Sequence, residues 1–358
     1  MKITSAKILP VVVPHAGPVD LDGNVHVVAA VLRTDQGVEG VGHTMTLRGA
    51  WFKTLATAVQ EMSELLIGED PTQPEKIHRK MLSTVSWFGP GGMVEFAACA
   101  LDIAVWDVLG KVAGQPLYRL LGGTRNRVPA YISGQLSRRL TLDELATASS
   151  GFKAQGWRAM KMNLGLERTP QAEAARVRAV REAVGPNVDI LVDVNARWTP
   201  AQAIRTGRYL EEYQLFWLED PTEADDLEGL AEIALQLGTP VATGEKYYGL
   251  APWRKVLGAR ALDIVMVDMM RAGGITPLRK VAALCEAYGI PMASHTQHEI
   301  YTHCIAALPH GLIVEWMPWS SQIFEGAPEL REGDLVLSDR PGHGMELDKG
   351  FVTKYGAS

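Results

Sequence analysis

The chain has 358 residues, of which 47% are hydrophobic and 21% charged, and its formal net charge is −6. This length suggests about two domains, or one large barrel with an accessory domain, and allows a core that is stable without disulfides. The negative charge disfavours nonspecific nucleic-acid binding, which requires clustered Lys and Arg. The sequence shows neither the apolar core of a signal peptide nor a stretch long enough to span a membrane, so we expect a soluble, cytoplasmic protein.

The first third of the chain has the pattern of an α+β domain. Two apolar stretches on either side of Asp35-Gln36-Gly37 predict a β-hairpin. Three later stretches have helical periodicity, and the last is strongly apolar and ends before Gly114 and Pro116. The predicted strands are 2–13, 25–34 and 38–45, and the predicted helices lie near 50–67, 74–83 and 92–113. We therefore assign residues 1–125 to a first domain.

From about residue 127 the pattern changes to short apolar segments that alternate with amphipathic helices. Eight parallel strands with intervening helices predict a (β/α) barrel over residues 126–318. An open doubly wound sheet is the alternative, but no G-x-G-x-x-G follows the first strand of any unit. We expect the last segment, 319–358, to pack back on the first domain. The apolar segments are Val128–Ile132, Ala159–Leu164, Ile190–Val194, Leu215–Leu218, Pro240–Thr243, Ile264–Val267, Ile290–Ala293 and Leu312–Val314, and the helices include 170–184, 200–213, 226–237 and 276–289.

Three carboxylates lie at or just after the ends of consecutive apolar segments, and they are evenly spaced along the sequence. Asp193, Glu219 and Glu245 are each 26 residues apart, about one strand-helix unit. In a parallel barrel such positions converge on the carboxyl-terminal rim, where barrel enzymes perform their chemistry. Three ionised carboxylates repel one another by about 4 kcal/mol per pair at about 4 Å, so a cation is expected among them. Oxygen ligands without His or Cys favour Mg²⁺ or, alternatively, Mn²⁺.

Two further strand ends predict a general base. Asp268 and His295 are 27 residues apart, again about one strand-helix unit. A carboxylate beside an imidazole selects one tautomer and raises the basicity of the ring. Lys161, in the second apolar segment, is either a second base or a cation that binds a substrate carboxylate. Glu315 ends the eighth segment.

Taken together, these residues resemble the enolase superfamily, and specifically the mandelate racemase subgroup of the mandelate racemase/muconate lactonizing enzyme family. The resemblance covers nearly the whole chain, and although each motif alone is weak, the set is specific. The motifs are Val41-Gly42-His43-Thr44, Leu101-Asp102-Ile103-Ala104-Val105-Trp106-Asp107, Asp193-Val194-Asn195, Trp217-Leu218-Glu219-Asp220-Pro221, Gly244-Glu245, Asp268, Gly273-Gly274-Ile275-Thr276, Ser294-His295 and Glu315.

The resemblance implies an α/β fold: a modified TIM barrel, (β/α)7β, with an N-terminal α+β capping domain and the active site between the two. It implies that Asp193, Glu219 and Glu245 bind Mg²⁺, which holds a substrate carboxylate while a base removes the α-proton. Lys161 would stabilise the enediolate, and Glu315 would be a protonated donor whose pKa is raised by its neighbours. The family also implies a homo-oligomer, from dimer to octamer. We expect substrate contacts from Asn163, Asn195, Arg271, His15, His26 and Trp316.

The sequence departs from the subgroup at Lys161-Met162-Asn163. Relatives often carry Lys-x-Lys there, with the second Lys as a base on one face of the α-carbon. Asn163 cannot accept that proton, so only the His295 face has a base, which disfavours racemisation. Arg271 occupies the position where lactonizing relatives carry a Lys base, and Arg is not deprotonated in proteins. A single base suits β-elimination of water from a sugar acid to a 2-keto-3-deoxy acid.

Three alternatives stay open at this point. An epimerase or a cycloisomerase of a carboxylic sugar acid would use the same site, and a catalytically silent metal-binding or structural protein would keep the scaffold alone. Zinc is not expected: His298 and His303 resemble the ends of an H-E-x-x-H motif but are five residues apart. On a helix the two rings therefore diverge by about 140°.

Overall fold

The computed structural model describes residues 1–14, 23–87 and 89–357. The N-terminal part is an antiparallel sheet, in the order β1-β2-β3, that packs against helices. The predicted strands and helices of this domain are confirmed, with ends that differ by a few residues. The elements are β1 (Ile3–Pro14), β2 (Asn24–Thr34), β3 (Glu39–Thr46), α1 (Phe52–Glu64), α2 (Pro74–Ser83), α3 (Met93–Ala113) and the short α4 (Leu117–Leu120).

Eight parallel strands form the barrel, in agreement with the predicted segments. The last strand pairs with the first, and backbone bonds from the 310–313 segment to Met292 and Ser294 connect it to its other neighbour. The strands are β4 (Arg127–Leu136), β5 (Ala159–Asn163), β6 (Asp189–Asp193), β7 (Trp217–Glu219), β8 (Val241–Thr243), β9 (Ile264–Asp268), β10 (Met292–His295) and β11 (Val314–Trp316).

Helical segments fill the seven connections between these strands, which makes the (β/α)7β architecture. Several helices begin as the sequence predicts, since Thr169 and Thr199 cap helices whose first residue is proline. The helices are α5 (Leu142–Ala154), α6 (Pro170–Val184), α7 (Pro200–Leu210, followed by a 3-10 turn at Glu211–Tyr213), α8 (Leu227–Gln236), α9 (Trp253–Gly258), α10 (Met269–Ala272), α11 (Ile275–Tyr288) and α12 (His298–Ala307).

The C-terminal segment contacts both domains. It contains β12 (Phe324–Glu325), β13 (Glu329–Arg331), β14 (Asp334–Val336), β15 (Glu346–Leu347) and α13 (Lys349–Tyr355), with a 3-10 turn at Ser321–Ile323. The β13–β14 hairpin, which the sequence analysis missed, pairs antiparallel with β4. The end of the chain bridges to Val11 of the N-terminal sheet. The boundaries at 125 and 318 stay predictions. Within the described ranges, no helix is long and apolar enough to cross a membrane.

A buried polar contact joins the two domains beside the barrel rim. Asp102 on α3 accepts hydrogen bonds from the Thr276 backbone N–H (2.9 Å) and hydroxyl (2.6 Å) at the start of α11. Gly274, with φ of 116°, brings this helix start close to α3, because a Cβ there would lie 2.5 Å from Asp102 Oδ2. This packing explains the Gly-Gly-Ile-Thr motif. It also holds the N-terminal domain above the rim.

Because Glu95 is buried at the same interface, we expect the stability of the fold to depend on pH. Burial raises the pKa of Glu95 on α3 from 4.5 to about 7, against a hydrogen bond from Gly91 that lowers it. Between these values the folded protein binds a proton that the unfolded chain has lost, so the free energy of unfolding falls as pH rises from about 4.5 to about 7. In Glu95→Gln this decline is expected to flatten. Urea denaturation at pH 5 and pH 8 measures the change in the free energy of unfolding between the two pH values. Glu61→Gln, at an exposed position, is the control. An unchanged slope in Glu95→Gln would contradict the assignment.

Candidate active site

The polar residues predicted at the strand ends converge on the barrel rim. Asn163, Asp193 and Glu219 pair side by side across β5, β6 and β7, and Asp268 pairs with His295 across β9 and β10. Non-glycine residues with a left-handed backbone concentrate at the same rim, which is typical of functional sites. They are Asn195, Ala196, Asp220, Thr296 and Gln297.

Glu245 reaches the rim through a glycine. Gly244 has φ of 129°, and a Cβ at this position would lie 2.5 Å from the Trp253 ring and 2.8 Å from the Met266 carbonyl oxygen. Only glycine has both the conformation and the space. Gly244 therefore lets the chain turn at the end of β8 so that Glu245 faces the same cavity as Asp193.

Lys161 lies among the carboxylates at the centre of the site. Its Nζ is 2.7 Å from Glu219 Oε1, 2.7 Å from Glu315 Oε1 and 3.9 Å from Asp193 Oδ2. Burial lowers the pKa of Lys161, but the surrounding carboxylates outweigh burial and raise it well above its ordinary value. This environment favours the charged form of Lys161, which is consistent with a cation that binds a substrate carboxylate, and its role stays a prediction.

His295 lies between two carboxylates. Its Nδ1 is 2.7 Å from Asp268 Oδ2, and its Nε2 is 3.0 Å from Glu245 Oε2. Burial lowers the pKa of His295, but Glu245 and Asp268 together raise it well above its ordinary value. The Arg271 backbone N–H donates to the other oxygen of Asp268 at 2.8 Å, which holds the carboxylate toward the imidazole. This arrangement favours the imidazolium form of the ring while Glu245 faces it.

The donor set fits a hard divalent cation, although the side chains do not enclose one as they lie. In the described ranges, no three His, Cys, Asp or Glu side chains surround a common metal position. Glu219 contacts Lys161, and Glu245 contacts His295. Burial raises the pKa of both Asp193 and Glu219, and Glu245 adds to both rises by repulsion. Crowded oxygen donors of this kind are what Mg²⁺ prefers, and the cation would relieve the repulsion.

The expectation that Glu315 is protonated stays a prediction, and in this geometry the pKa of its carboxyl is lowered instead of raised. Burial alone would raise its pKa, but the Lys161 ammonium at 2.7 Å and the Thr296 backbone N–H, which donates at 2.8 Å, lower it. Glu315 therefore contacts Lys161 as an ion-pair partner, and this contact favours its charged form. The sequence predicted a cluster of carboxylates but not the distance from Glu315 to the lysine. That distance determines whether the pKa of Glu315 is raised or lowered.

A cavity of about 330 Å³ opens over these residues. Most of its lining residues are polar, and they combine residues at or just after the ends of seven barrel strands with Leu47 from the N-terminal domain. The lining residues are Leu47, Ser133, Gly134, Ser137, Arg138, Lys161, Asn163, Asp193, Asn195, Glu245, Arg271, His295, Glu315, Met317 and Trp319.

The structure locates five of the six predicted substrate contacts. Asn163, Asn195 and Arg271 line the cavity. Trp316 is not among the described residues that line the cavity. Its ring packs against the Trp157 ring instead, with the two ring centres 5.1 Å apart. His26 is also absent from this lining, and its ring packs 5.0 Å from the Phe52 ring. His15 lies outside the described residues.

Arg138 is the main residue of the cavity that the sequence analysis missed. It follows β4, lines the cavity and donates a hydrogen bond to Asn195 Oδ1. The signal was present in the sequence, because Ser133, Ser137 and Arg138 follow the first apolar segment as the other polar rim residues lie at the ends of theirs.

Comparisons with known proteins agree with this architecture. Residues 3–122 match the mandelate racemase/muconate lactonizing enzyme N-terminal domain, and residues 143–351 match the enolase C-terminal domain-like family. The chain is 34% identical over 325 residues to the L-talarate/galactarate dehydratase of Salmonella typhimurium, covering 91% of this chain and 81% of the relative. It is 34% identical over 318 residues to the 3,6-anhydro-alpha-L-galactonate cycloisomerase of Streptomyces coelicolor, covering 88% of each.

A solved structure shows the same fold. The L-talarate dehydratase of Polaromonas sp. JS666, described as complexed with Mg and L-glucarate, superposes with a TM-score of 0.92 at 33% identity, covering 100% of this chain and 98% of that one. Both domain models and these full-length similarities agree with the barrel-rim geometry. The chain belongs to the mandelate racemase/muconate lactonizing enzyme family of the enolase superfamily.

Proposed function

We propose that the protein is a Mg²⁺-dependent sugar-acid dehydratase, a hydro-lyase of the mandelate racemase subgroup. The observation that carries this proposal is the asymmetry of the site: one face has the His295–Asp268 pair at 2.7 Å, and the other has Asn163 in place of a base. Asn163 donates to Asp193 Oδ2 at 3.2 Å, so it supports a predicted ligand instead of accepting a proton. Relatives named as dehydratases of talarate, galactarate and arabinonate support the substrate class.

Asp193, Glu219 and Glu245 would hold the cation, which supplies a positive charge for the substrate carboxylate. Glu245 cannot bind a cation and pair fully with His295 at once. When Glu245 serves as a ligand, His295 loses one of its two carboxylate partners and Nε2 regains its lone pair. Asp268 keeps Nδ1 protonated, and the free Nε2 faces the cavity as a base.

Elimination then needs only one base. His295 Nε2 takes the proton from C2, and the C2–H electron pair moves into the carboxylate. Lys161, held by Glu315, stabilises the charge that forms on the substrate oxygens. As the pair returns to form a C2–C3 double bond, the C3–O bond breaks and the hydroxyl leaves as water with the proton from His295. The enol converts to the 2-keto-3-deoxy acid.

A screen of mono- and diacid sugars with Mg²⁺ in D₂O tests the proposal. We expect one group of acids to yield a 2-keto acid, detected as its semicarbazone, and EDTA to abolish the signal. Exchange of the α-proton without keto product would favour an epimerase. A cyclic or isomeric product without water loss would favour a cycloisomerase, the activity of the Streptomyces coelicolor relative. Absence of exchange with every acid would leave a non-catalytic scaffold.

The family resemblance further supports a homo-oligomer, from dimer to octamer, in the cytoplasm. Light scattering of the purified chain measures the oligomer size. A monomer at micromolar concentration would contradict this part of the proposal.

A further inference from the structure

The turn that follows His295 has an unusual backbone. Thr296 and Gln297 both have a left-handed conformation, with φ of 53° and 42°. This conformation is unfavourable for residues with a Cβ, and most of all for a β-branched residue such as Thr296. Two such residues in succession persist only where surrounding contacts hold them. The turn lies between strand β10, which ends with His295, and helix α12.

Contacts from both domains hold this turn, and Cys99 Sγ on α3 also lies 3.8 Å from Gln297 Oε1. On the barrel side, the Thr296 backbone N–H donates to Glu315 Oε2 at 2.8 Å. On the other side, Gln297 Nε2 donates to the backbone carbonyl of His43, in strand β3 of the N-terminal domain, at 3.0 Å. Gln297 is the N-cap residue of α12, yet its side chain makes no capping bond. It is 1% exposed and spans the domain interface instead.

The side chain of the same β3 residue, His43, makes a further contact with the start of α12. The His43 imidazole lies 2.7 Å from Glu299 Oε1, and both side chains are fully buried. Glu299 is in the first turn of α12, two residues after Gln297. Strand β3 therefore contacts the start of α12 through both the backbone and the side chain of His43.

We infer that Gln297 is a positioning residue for His295: its bond to the N-terminal domain holds the turn in its left-handed form and thereby fixes the imidazole over the cavity. The inference rests on the proposed role of His295 as base. The alignment of the base then depends on docking of the N-terminal domain. Loss of the amide lets the turn relax toward a more favourable backbone and moves the ring away from Asp268.

Two substitutions at Gln297 distinguish positioning from packing. Gln297→Met keeps the side-chain volume but removes the donor, whereas Gln297→Gly leaves a void but adopts a positive φ without strain. We expect kcat to fall about 10- to 100-fold in Gln297→Met, the effect of displacing a reacting group by about 1 Å, with KM and Mg²⁺ affinity near wild type. Gln297→Gly should have the lower Tm but the higher kcat of the two. A kcat order that follows the Tm order would overturn the inference.

His303→Leu is the matched control. His303 is buried on the same helix, and its Nε2 lies 3.1 Å from the His343 carbonyl, so the variant also loses a side-chain contact to a backbone carbonyl. Its Tm should fall while kcat stays unchanged. An equal loss of kcat in this control would mean that general loosening of α12 explains the effect.

A spectroscopic readout keeps this test separate from that of the proposed function. The His295 Nδ1 proton shared with Asp268 should give a downfield ¹H resonance, assigned by its loss in His295→Asn. We expect it to shift or disappear in Gln297→Met and to persist in His303→Leu. If wild type converts no sugar acid, the proposed function fails, and this resonance still decides the positioning role. An unchanged resonance in Gln297→Met would overturn that role.

Discussion

The His295→Asn variant is expected to lose dehydration almost completely while keeping its fold and its metal site. Removing a positioned general base typically lowers the rate about 10²- to 10⁴-fold, and His295 would both take the C2 proton and return it to the leaving hydroxyl. Both functions would be lost at once, so we expect kcat to fall by about 10⁴-fold, at the upper end of this range. Formation of 2-keto acid with a substrate found by the screen measures the effect.

The metal site provides an internal check on this variant. Asp193 and Glu219 do not contact His295, and Glu245 is released from its contact with the imidazole. Mg²⁺ should therefore still raise the Tm of His295→Asn. His310→Asn, in the half-buried loop after α12 and absent from the lining of the described cavity, should keep full activity. Substantial turnover by His295→Asn would remove His295 from the role of base.

Lys161→Met is expected to show the largest loss of stability. The Lys161 side chain is 5% exposed, and its two closest carboxylates, Glu219 and Glu315, are 0% and 1% exposed. Removing one partner of a buried ion pair typically costs about 3–5 kcal/mol, because the remaining charge lacks both water and a counter-ion. Urea denaturation in the presence of EDTA measures the change in the free energy of unfolding.

Added Mg²⁺ tests the cause of that loss. Without the lysine, the carboxylates repel one another more strongly, so a divalent cation should stabilise Lys161→Met by more than it stabilises wild type. The Tm increase on adding MgCl₂ reports this difference. Lys80→Met is the control: Lys80 Nζ is also 2.7 Å from a carboxylate, on Glu69, but it is 39% exposed, and such pairs contribute about 0–1 kcal/mol. Equal losses in the two variants would argue against burial as the cause.

Several strands and their terminal polar residues could be predicted from local sequence pattern alone. The strands before Asp193, Glu219 and Asp268 were predicted within three residues because each is a short apolar segment followed by a polar rim residue. A parallel barrel converts equal sequence spacing into spatial adjacency, so side-by-side placement of Asp193 and Glu219 also followed from the sequence. Asn163 stands where relatives carry the second Lys of Lys-x-Lys, and this difference supports the choice of reaction. The family resemblance alone was enough to identify it.

Other features depended on contacts between distant segments. The outward direction of Trp316 follows from its register beside inward-facing Glu315, which the sequence analysis did not apply. The β13–β14 hairpin joins β4 across about 200 residues, and short polar strands of this kind carry little periodic signal.

Periodicity and spacing along the chain were enough to predict the barrel, the three carboxylates at adjacent strand ends and the pairing of His295 with Asp268, because parallel topology places equally spaced residues side by side. The directions of the pKa shifts and the orientation of the base depend on the folded structure. The pKa of Glu315 is lowered because Lys161 lies 2.7 Å away, and the turn after His295 contacts a carbonyl of the other domain. Both depend on distances of a few ångströms between residues far apart in the chain, and electrostatic energy varies steeply over such distances.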